Sequence, residues 1–216
     1  MNNKHGIDPV TGTPKIQAEI EHLVLPLLKS KRTYLDIGAC IGSASNKFVD
    51  IFDNIIAFEP NPKSLSILNK ISGIRIEEVA VSDYIGSTEF IAPNTEKGHE
   101  HGSMCNGRYN KLENINKFTV NVTTIDSYNF KNVDFIKIDT EGNELNVLKG
   151  AVETIKKYKP IIYYEDKGKT EEDLKRSEEI KKLLQELGYN IQRTHRYWRT
   201  DKQPKADMLA IKKNKK

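Results

Sequence analysis

The sequence predicts an α/β fold whose sheet is largely parallel and carries helices on both faces. Two observations carry this. Short apolar stretches alternate with longer amphipathic ones along the chain, and the first apolar stretch runs straight into a glycine turn that opens a helix. Parallel strands joined through helices require right-handed crossovers, which fixes the layering.

The elements follow in order. Residues 1–12 are polar. Thr13 caps and Pro14 opens an N-terminal helix over 13–30, with Ile16, Ile20, Leu23 and Leu27 on one face and a kink expected near Leu25 because Pro26 interrupts it. Tyr34 to Ile37 reads as a strand, Gly38 to Gly42 as a tight turn, and Ser43 to Phe52 as a helix. Asn54 to Phe58 is a second strand, Pro62 to Ile71 a helix opened by Asn61-Pro62, and Ile74 to Val81 a third strand. Ser87 to Ile91 and Phe118 to Thr124 alternate like half-exposed strands. The irregular segment 92–117 between them reads as a loop on the acceptor side of a site, since a loop that long is usually functional. Order resumes with a strand at Val133 to Ile138, a helix at Glu144 to Tyr158, a strand at Pro160 to Tyr164, a helix at Glu171 to Leu187 capped by Thr170, and strands at Tyr189 to Arg193 and Asp207 to Ile211. The 216 residues are expected to form one domain.

Composition excludes several classes. Hydrophobic residues make up 37% and charged residues 30%, a globular balance rather than a disordered one. No apolar run approaches the roughly 20 residues that span a bilayer, and the polar start lacks a secretory pattern, so a soluble, cytoplasmic chain without membrane partners is expected. Two cysteines, Cys40 and Cys105, build neither a disulfide framework nor a four-ligand zinc site. Net charge is +4, but residues 199–216 hold seven basic and two acidic side chains, leaving 27 basic and 28 acidic in the body. The basic excess sits in a tail, 212–216, read as solubilising. A built-in nucleic-acid face is not indicated.

The chemistry concentrates at strand ends. In Asp36-Ile37-Gly38-Ala39-Cys40-Ile41-Gly42 a strand hands over to a helix, the place where open α/β sheets receive ligands. A dinucleotide fingerprint starting at Gly38 needs glycines at 40 and 43, where Cys40 and Ser43 stand. Asp36 would repel a pyrophosphate and attract a cationic amino group. Glu59, closing the second strand, stands where an acidic side chain accepts both ribose hydroxyls. A ribonucleoside with an amino-acid arm meets both demands, and S-adenosyl-L-methionine is such a compound. Gly168-Lys169-Thr170 is not a phosphate loop, because position 163 holds tyrosine in place of the required glycine.

The motifs D-I-G-A-C-I-G at 36–42, F-E-P-N at 58–61, V-A-V-S-D at 79–83, T-T-I-D at 123–126 and F-I-K-I-D-T-E-G-N-E at 135–144 together resemble the FkbM-type methyltransferases. Leu148 to Ala151 and Pro160 to Glu165 extend the likeness. The resemblance implies a class I, Rossmann-like methyltransferase sheet of seven strands with an antiparallel last strand, S-adenosyl-L-methionine as methyl donor, and O-methylation of hydroxyls on sugars or similar metabolites. Carried over as cofactor contacts are Asp36, Gly38, Gly42, Glu59 and Pro60, with Ala80, Val81 and Ser82 near the adenine. Cys40, in the same turn, is a further expected cofactor contact, at a position where the family commonly has Asn.

Asp139 follows the fourth main strand, whose end borders the transferable methyl in this fold. It is the first candidate for a base that takes the acceptor proton, with Glu141, Glu165 and, from the loop, His101 as further candidates. His99 is a weaker one. The carboxylates are able to bind a hard cation, but no ligand spacing demands a metal. Trp198 reads as strand packing and Cys105 as an ordinary thiol. Two alternatives to sugar O-methylation stay open: RNA ribose methylation, suggested by the tail, and a non-catalytic binder of the cofactor. The Asp139-Thr140-Glu141-Gly142 stretch lacks the Pro-Pro-aromatic signature of nucleic-acid amino-methyltransferases.

Overall fold

The computed structural model describes residues 15–94, 102–104, 114–166, 168, 170–194 and 206–213. The expectations for Thr13, Pro14, His99, His101, Cys105 and Trp198 lie outside these residues. Helix α1 (Lys15–Glu19) widens over Ile20–Val24 and tightens over Leu25–Leu27, where Pro26 ends regular helix as its missing N–H requires.

A seven-stranded sheet follows, made of β1 (Thr33–Ile37), β2 (Asn54–Phe58), β3 (Arg75–Glu77), β7 (Val133–Ile138), β8 (Ile161–Asp166), β9 (Tyr189–Arg193) and β10 (Ala206–Lys212). The spatial order is β3-β2-β1-β7-β8-β10-β9. β1, β2, β3, β7 and β8 pair in parallel, whereas β10, the last in the chain, inserts antiparallel between β8 and β9. The order reverses between β1 and β7, so the crevice beyond their C-terminal ends is the switch point at which such sheets take ligands.

Side-chain alternation divides the core between the two faces. Leu35, Ile37, Ile136, Ile138, Ile162 and Tyr164 face α4 (Glu144–Lys149), α5 (Val152–Tyr158) and α6 (Glu171–Glu186) through Val147, Leu148, Ile155, Ile180 and Leu184. On the other face Tyr34, Phe135, Tyr163 and Leu209 pack on Ile20, Val24, Phe48 and Phe52. Helix α6 begins as its sequence announces, with the Thr170 hydroxyl accepting from the Asp173 N–H and the Asp173 carboxylate accepting from the Thr170 N–H.

The structure corrects several boundaries. The expected third strand breaks at Val79, whose N–H turns back onto the Glu77 carbonyl, so β3 stays in the main sheet and β4 (Ala80–Val81) joins a second one. That sheet, ordered β4-β6-β5, contains β5 (Gly86–Pro93) and β6 (Ile115–Thr123), longer than the alternation suggested. Helix α2 (Ser43–Lys47) stops short of the expected Phe52. The helix expected over 144–158 is two, because Gly150 presses on β4's exit so closely that a Cβ there would lie 2.1 Å from the Ser82 carbonyl oxygen. Asp126 then restarts the chain as α5, accepting from the N–H groups of Glu153 and Thr154 and from the Thr154 hydroxyl. The basic tail also begins inside structure: Lys212 belongs to β10, its ammonium donates to the Leu187 carbonyl, and the Lys213 N–H bonds the Gly188 carbonyl.

Among the described residues no helix is long and apolar enough to cross a membrane.

Candidate active site

An open cleft lies above the switch point. Its walls come from the turn after β1, the end of β2, the β3–β4 connection, β5 with the adjoining residues 102–104, and the turn after β7.

The β1 turn is set by backbone bonds. The N–H groups of Gly38 and Ala39 both donate to the Phe58 carbonyl at 3.0 Å, tying the turn to β2. Gly38 has φ +75°, and a Cβ on it would fall 2.0 Å from the Asp139 carbonyl oxygen, so glycine is required by the β7 backbone behind it. Gly42 serves packing in a similar way: a Cβ would strike Leu68 at 2.4 Å, and the residue does not line the cleft. Cys40 sits between them at φ +55°, a region that costs a non-glycine residue of order 1–3 kcal/mol. Burial first, and Glu59 second, push its thiol up to about 11.

Glu59 lines the cleft and is 6% exposed. Its two oxygens accept from the N–H groups of Cys40 and Asn61, each at 2.8 Å, leaving further lone pairs on both. Burial pushes its carboxyl up to about 7, against the pull of those N–H groups and of the Lys137 ammonium. The Asn61 side chain meanwhile caps α3 (Pro62–Leu68) by accepting from the Lys63 N–H.

Asp36 is placed differently from the expectation. It is fully buried and absent from the cleft wall. Lys137, its partner across the β1–β7 pair, holds one carboxylate oxygen at 2.8 Å while the Ser45 hydroxyl holds the other at 2.7 Å. The same ammonium donates to the Gly38 carbonyl at 3.1 Å. Sequence reasoning did not single out Lys137, although a charge set between the apolar residues Ile136 and Ile138 of a buried strand was the available signal.

On the opposite wall the Asp139-Thr140-Glu141-Gly142 turn is ordered by Glu144. One Glu144 oxygen accepts from the N–H groups of Thr140 and Gly142 and from the Thr140 hydroxyl. Burial raises the Glu144 carboxyl above its ordinary range. Glu141 takes φ +56°, and its carbonyl accepts from the Ser103 hydroxyl at 3.1 Å. Asp139 and Glu141 line the cleft, and Glu165 at the tip of β8 joins them: single oxygens of the three carboxylates lie within 4.8 Å of one another. Residues far apart in the chain thus form one acidic group, with the oxygen donors that a hard cation takes.

Of the remaining expected contacts, Pro60, Ala80 and Val81 line the cleft. Ser82 is buried outside the wall, its N–H on the Thr123 carbonyl. Phe90, Gly102, Met104 and Asn143 also line the cleft; Gly102 and Met104 come from the loop expected to border a site and Asn143 from the motif at 135–144, but none was named as a contact. The Asn143 side chain donates to the Val81 carbonyl at 2.9 Å and so joins the two walls. His101 lies outside the described residues.

A profile of the Methyltransferase FkbM domain matches residues 36–191, the span that holds every element of the cleft. The chain belongs to this family. A relative, the 2-O-methyltransferase NoeI of Sinorhizobium fredii (strain NBRC 101917 / NGR234), is 25% identical over 179 residues, covering 74% of this chain and 72% of that protein. The crystal structure of methyltransferase FkbM from Methylobacillus flagellatus KT is similar at TM-score 0.58 and 19% identity over 88% of this chain. The FkbM-family chain described here spans 46% of that longer protein. Precorrin-6y C5,15-methyltransferase from Geobacter metallireducens GS-15 is similar at TM-score 0.53 and 12% identity, over 98% of this chain and 96% of that one. These likenesses establish the class I methyltransferase fold that the strand order also gives.

Proposed function

We propose that this FkbM-family chain is an S-adenosyl-L-methionine-dependent O-methyltransferase that acts on a sugar hydroxyl. The observation carrying the reading is that Glu59 and Asp139, at the tips of β2 and β7, line one cleft on either side of the switch point. The cleft residues fit the donor: Val79, Ala80, Val81, Phe90 and Met104 offer an apolar wall for a purine, Glu59 offers acceptor oxygens to a ribose diol, and Asp139 with Glu141 suits a cationic end. When bound, the donor supplies a methyl group on a sulfonium, which already carries a good leaving group.

The protein's own task is then positioning and proton removal. Asp139 is the candidate to accept the proton of the acceptor hydroxyl as the oxygen becomes nucleophilic, a contribution of roughly 10² to 10⁴ in rate. Glu141 and Glu165 hold that end of the cleft acidic and orient the acceptor by accepting from its other hydroxyls. The 2-O-methyltransferase relative supports oxygen as the atom methylated.

Calorimetry with S-adenosylhomocysteine tests the donor half, and transfer of labelled methyl from the donor to an oligosaccharide fraction tests the acceptor half. Binding together with labelled glycan is the expected result. No binding removes the donor assignment, and label found only in RNA or only in protein removes the glycan acceptor.

A further inference from the structure

We infer that Lys137 is a positioning residue of the donor cleft: its ammonium, locked between the Asp36 carboxylate and the Gly38 carbonyl beneath the cleft floor, fixes the β1 turn and supplies the counter-charge that lets Glu59 receive a ribose diol. The inference rests on the donor reading above. It names a residue that does not itself line the cleft.

Lys137 occupies a position where an apolar residue would serve the fold. Phe135, two residues earlier on the same face, and Tyr163, its cross-strand neighbour on β8, are both buried in core. Exchanging a buried ion pair for apolar side chains is often neutral or stabilising, so packing alone does not account for a lysine here. Its bonds lead toward the cleft instead. From the ammonium the path runs to the Gly38 carbonyl, through the turn whose N–H groups grip Phe58, to the Cys40 N–H, and from there to the Glu59 carboxylate at 2.8 Å. The charged and titratable groups around Lys137 are Asp36 on β1, Asp139 after β7 and the Cys40 thiol in the turn, while the Tyr163 hydroxyl on β8 is committed to Glu19. Those acting on Glu59 are Lys137 and Asp36, besides its two backbone donors, and the Cys40 thiol stands beside it. Burial works against the Lys137 ammonium, yet Asp36 and Asp139 outweigh it and hold the lysine above its ordinary range. The charge therefore persists throughout the working pH range.

Two substitutions test this by opposite signs. The Lys137 charge favours ionised Glu59 and the Asp36 charge opposes it. Lys137→Met should therefore move the midpoint of the pH dependence of S-adenosylhomocysteine binding upward by roughly half to one unit, and Asp36→Asn should move it downward. At pH 7 the first substitution weakens binding about two- to fivefold. Loss of stability, common to both variants, cannot produce shifts of opposite sign. Unchanged midpoints, or shifts in the same direction, overturn the inference. A carboxyl-carbon NMR titration of Glu59 in the ligand-free chain reads the same midpoints, so failure of S-adenosylhomocysteine to bind counts against the donor reading while the titration still decides the role of Lys137. Should Lys137→Met fail to fold, Lys137→Gln, which removes the charge and keeps a donor for the Gly38 carbonyl, is titrated in its place: an upward shift supports the inference, and none or a downward one removes it.

Discussion

Asp36 and Glu59 end neighbouring parallel strands and are almost equally hidden, at 0% and 6% exposure, yet they occupy opposite kinds of site. Asp36 meets an internal cation and a hydroxyl, and both its oxygens are spent within the protein. Glu59 accepts from two backbone N–H groups and lines the cleft. Burial thus does not separate a structural carboxylate from a binding one. The charge of what faces it does, because a full counter-ion satisfies a carboxylate while two amide dipoles leave it able to accept more.

The widest separation between the two should come from Asp36→Ala. Removing one member of a buried pair strands the other, and here the Lys137 ammonium keeps only the Gly38 carbonyl. Stability should fall by about 3–5 kcal/mol in urea denaturation of the ligand-free chain. A loss under about 1 kcal/mol would mean that the pair is not structural, and the contrast with Glu59 would disappear.

Glu59→Gln should behave in the reverse way. S-adenosylhomocysteine affinity should drop by about 1–3 kcal/mol, the cost of losing charge-assisted hydrogen bonds, as read by calorimetry. Stability of the ligand-free chain should not fall at pH 8. The sign follows from burial: with the folded carboxyl raised from 4.5 to about 7, the chain loses stability as pH climbs through that window, and the amide does not. A destabilised Glu59→Gln would place Glu59 with Asp36 as a scaffold residue.

The same raised value predicts the pH dependence of binding. A ribose diol donates to the ionised carboxylate, so affinity should increase from pH 6 to pH 8 and level off above about 7, with close to tenfold lost per unit below the midpoint. Glu59→Gln should flatten the profile. A slope that survives the substitution would assign the titration to another group.

What the sequence disclosed divides along the same line. The strands, their parallel pairing and the acidic tips at Asp36, Glu59 and Asp139 are all local patterns, and each is found on the element expected. Asp36 was misplaced because local pattern gives a residue's strand but not its cross-strand partner, and the deciding ammonium arrives from position 137. The meeting of Glu165 with Asp139 and Glu141 was likewise set by register between β7 and β8. The second sheet escaped notice because β4 is only two residues long and is defined by its pairing with β6. Phe90 reaches the cleft through that sheet, which is why no motif flagged it, while Met104 comes from the 92–117 segment whose length alone pointed to a site.

A carboxylate that bonds backbone donors away from the cleft gives the scale for Glu59. Asp126 accepts from two N–H groups and a hydroxyl at the start of α5 and belongs to no binding wall. Asp126→Ala should cost about 0.5–2 kcal/mol of stability, as loss of a helix cap does, and leave S-adenosylhomocysteine affinity unchanged. Reduced affinity would mean that the α4–α5 junction, pressed against Ser82 through Gly150, transmits to the cleft.

The smallest effect concerns the residue between the two carboxylates. Cys40 holds φ +55° while its N–H serves Glu59, so the backbone shape is demanded by the site and the side chain is not suited to it. Asparagine tolerates that region better than cysteine, its short polar side chain being able to bond locally. Cys40→Asn should therefore raise stability by up to about 1 kcal/mol, visible as a higher melting temperature, with S-adenosylhomocysteine affinity kept because the N–H to Glu59 is retained. A lower melting temperature would show that packing of the half-buried thiol outweighs backbone strain. Weaker binding at unchanged stability would show instead that the thiol itself shapes the cleft wall beside Glu59, and the division between scaffold and binding groups would then run through the turn rather than between the strands.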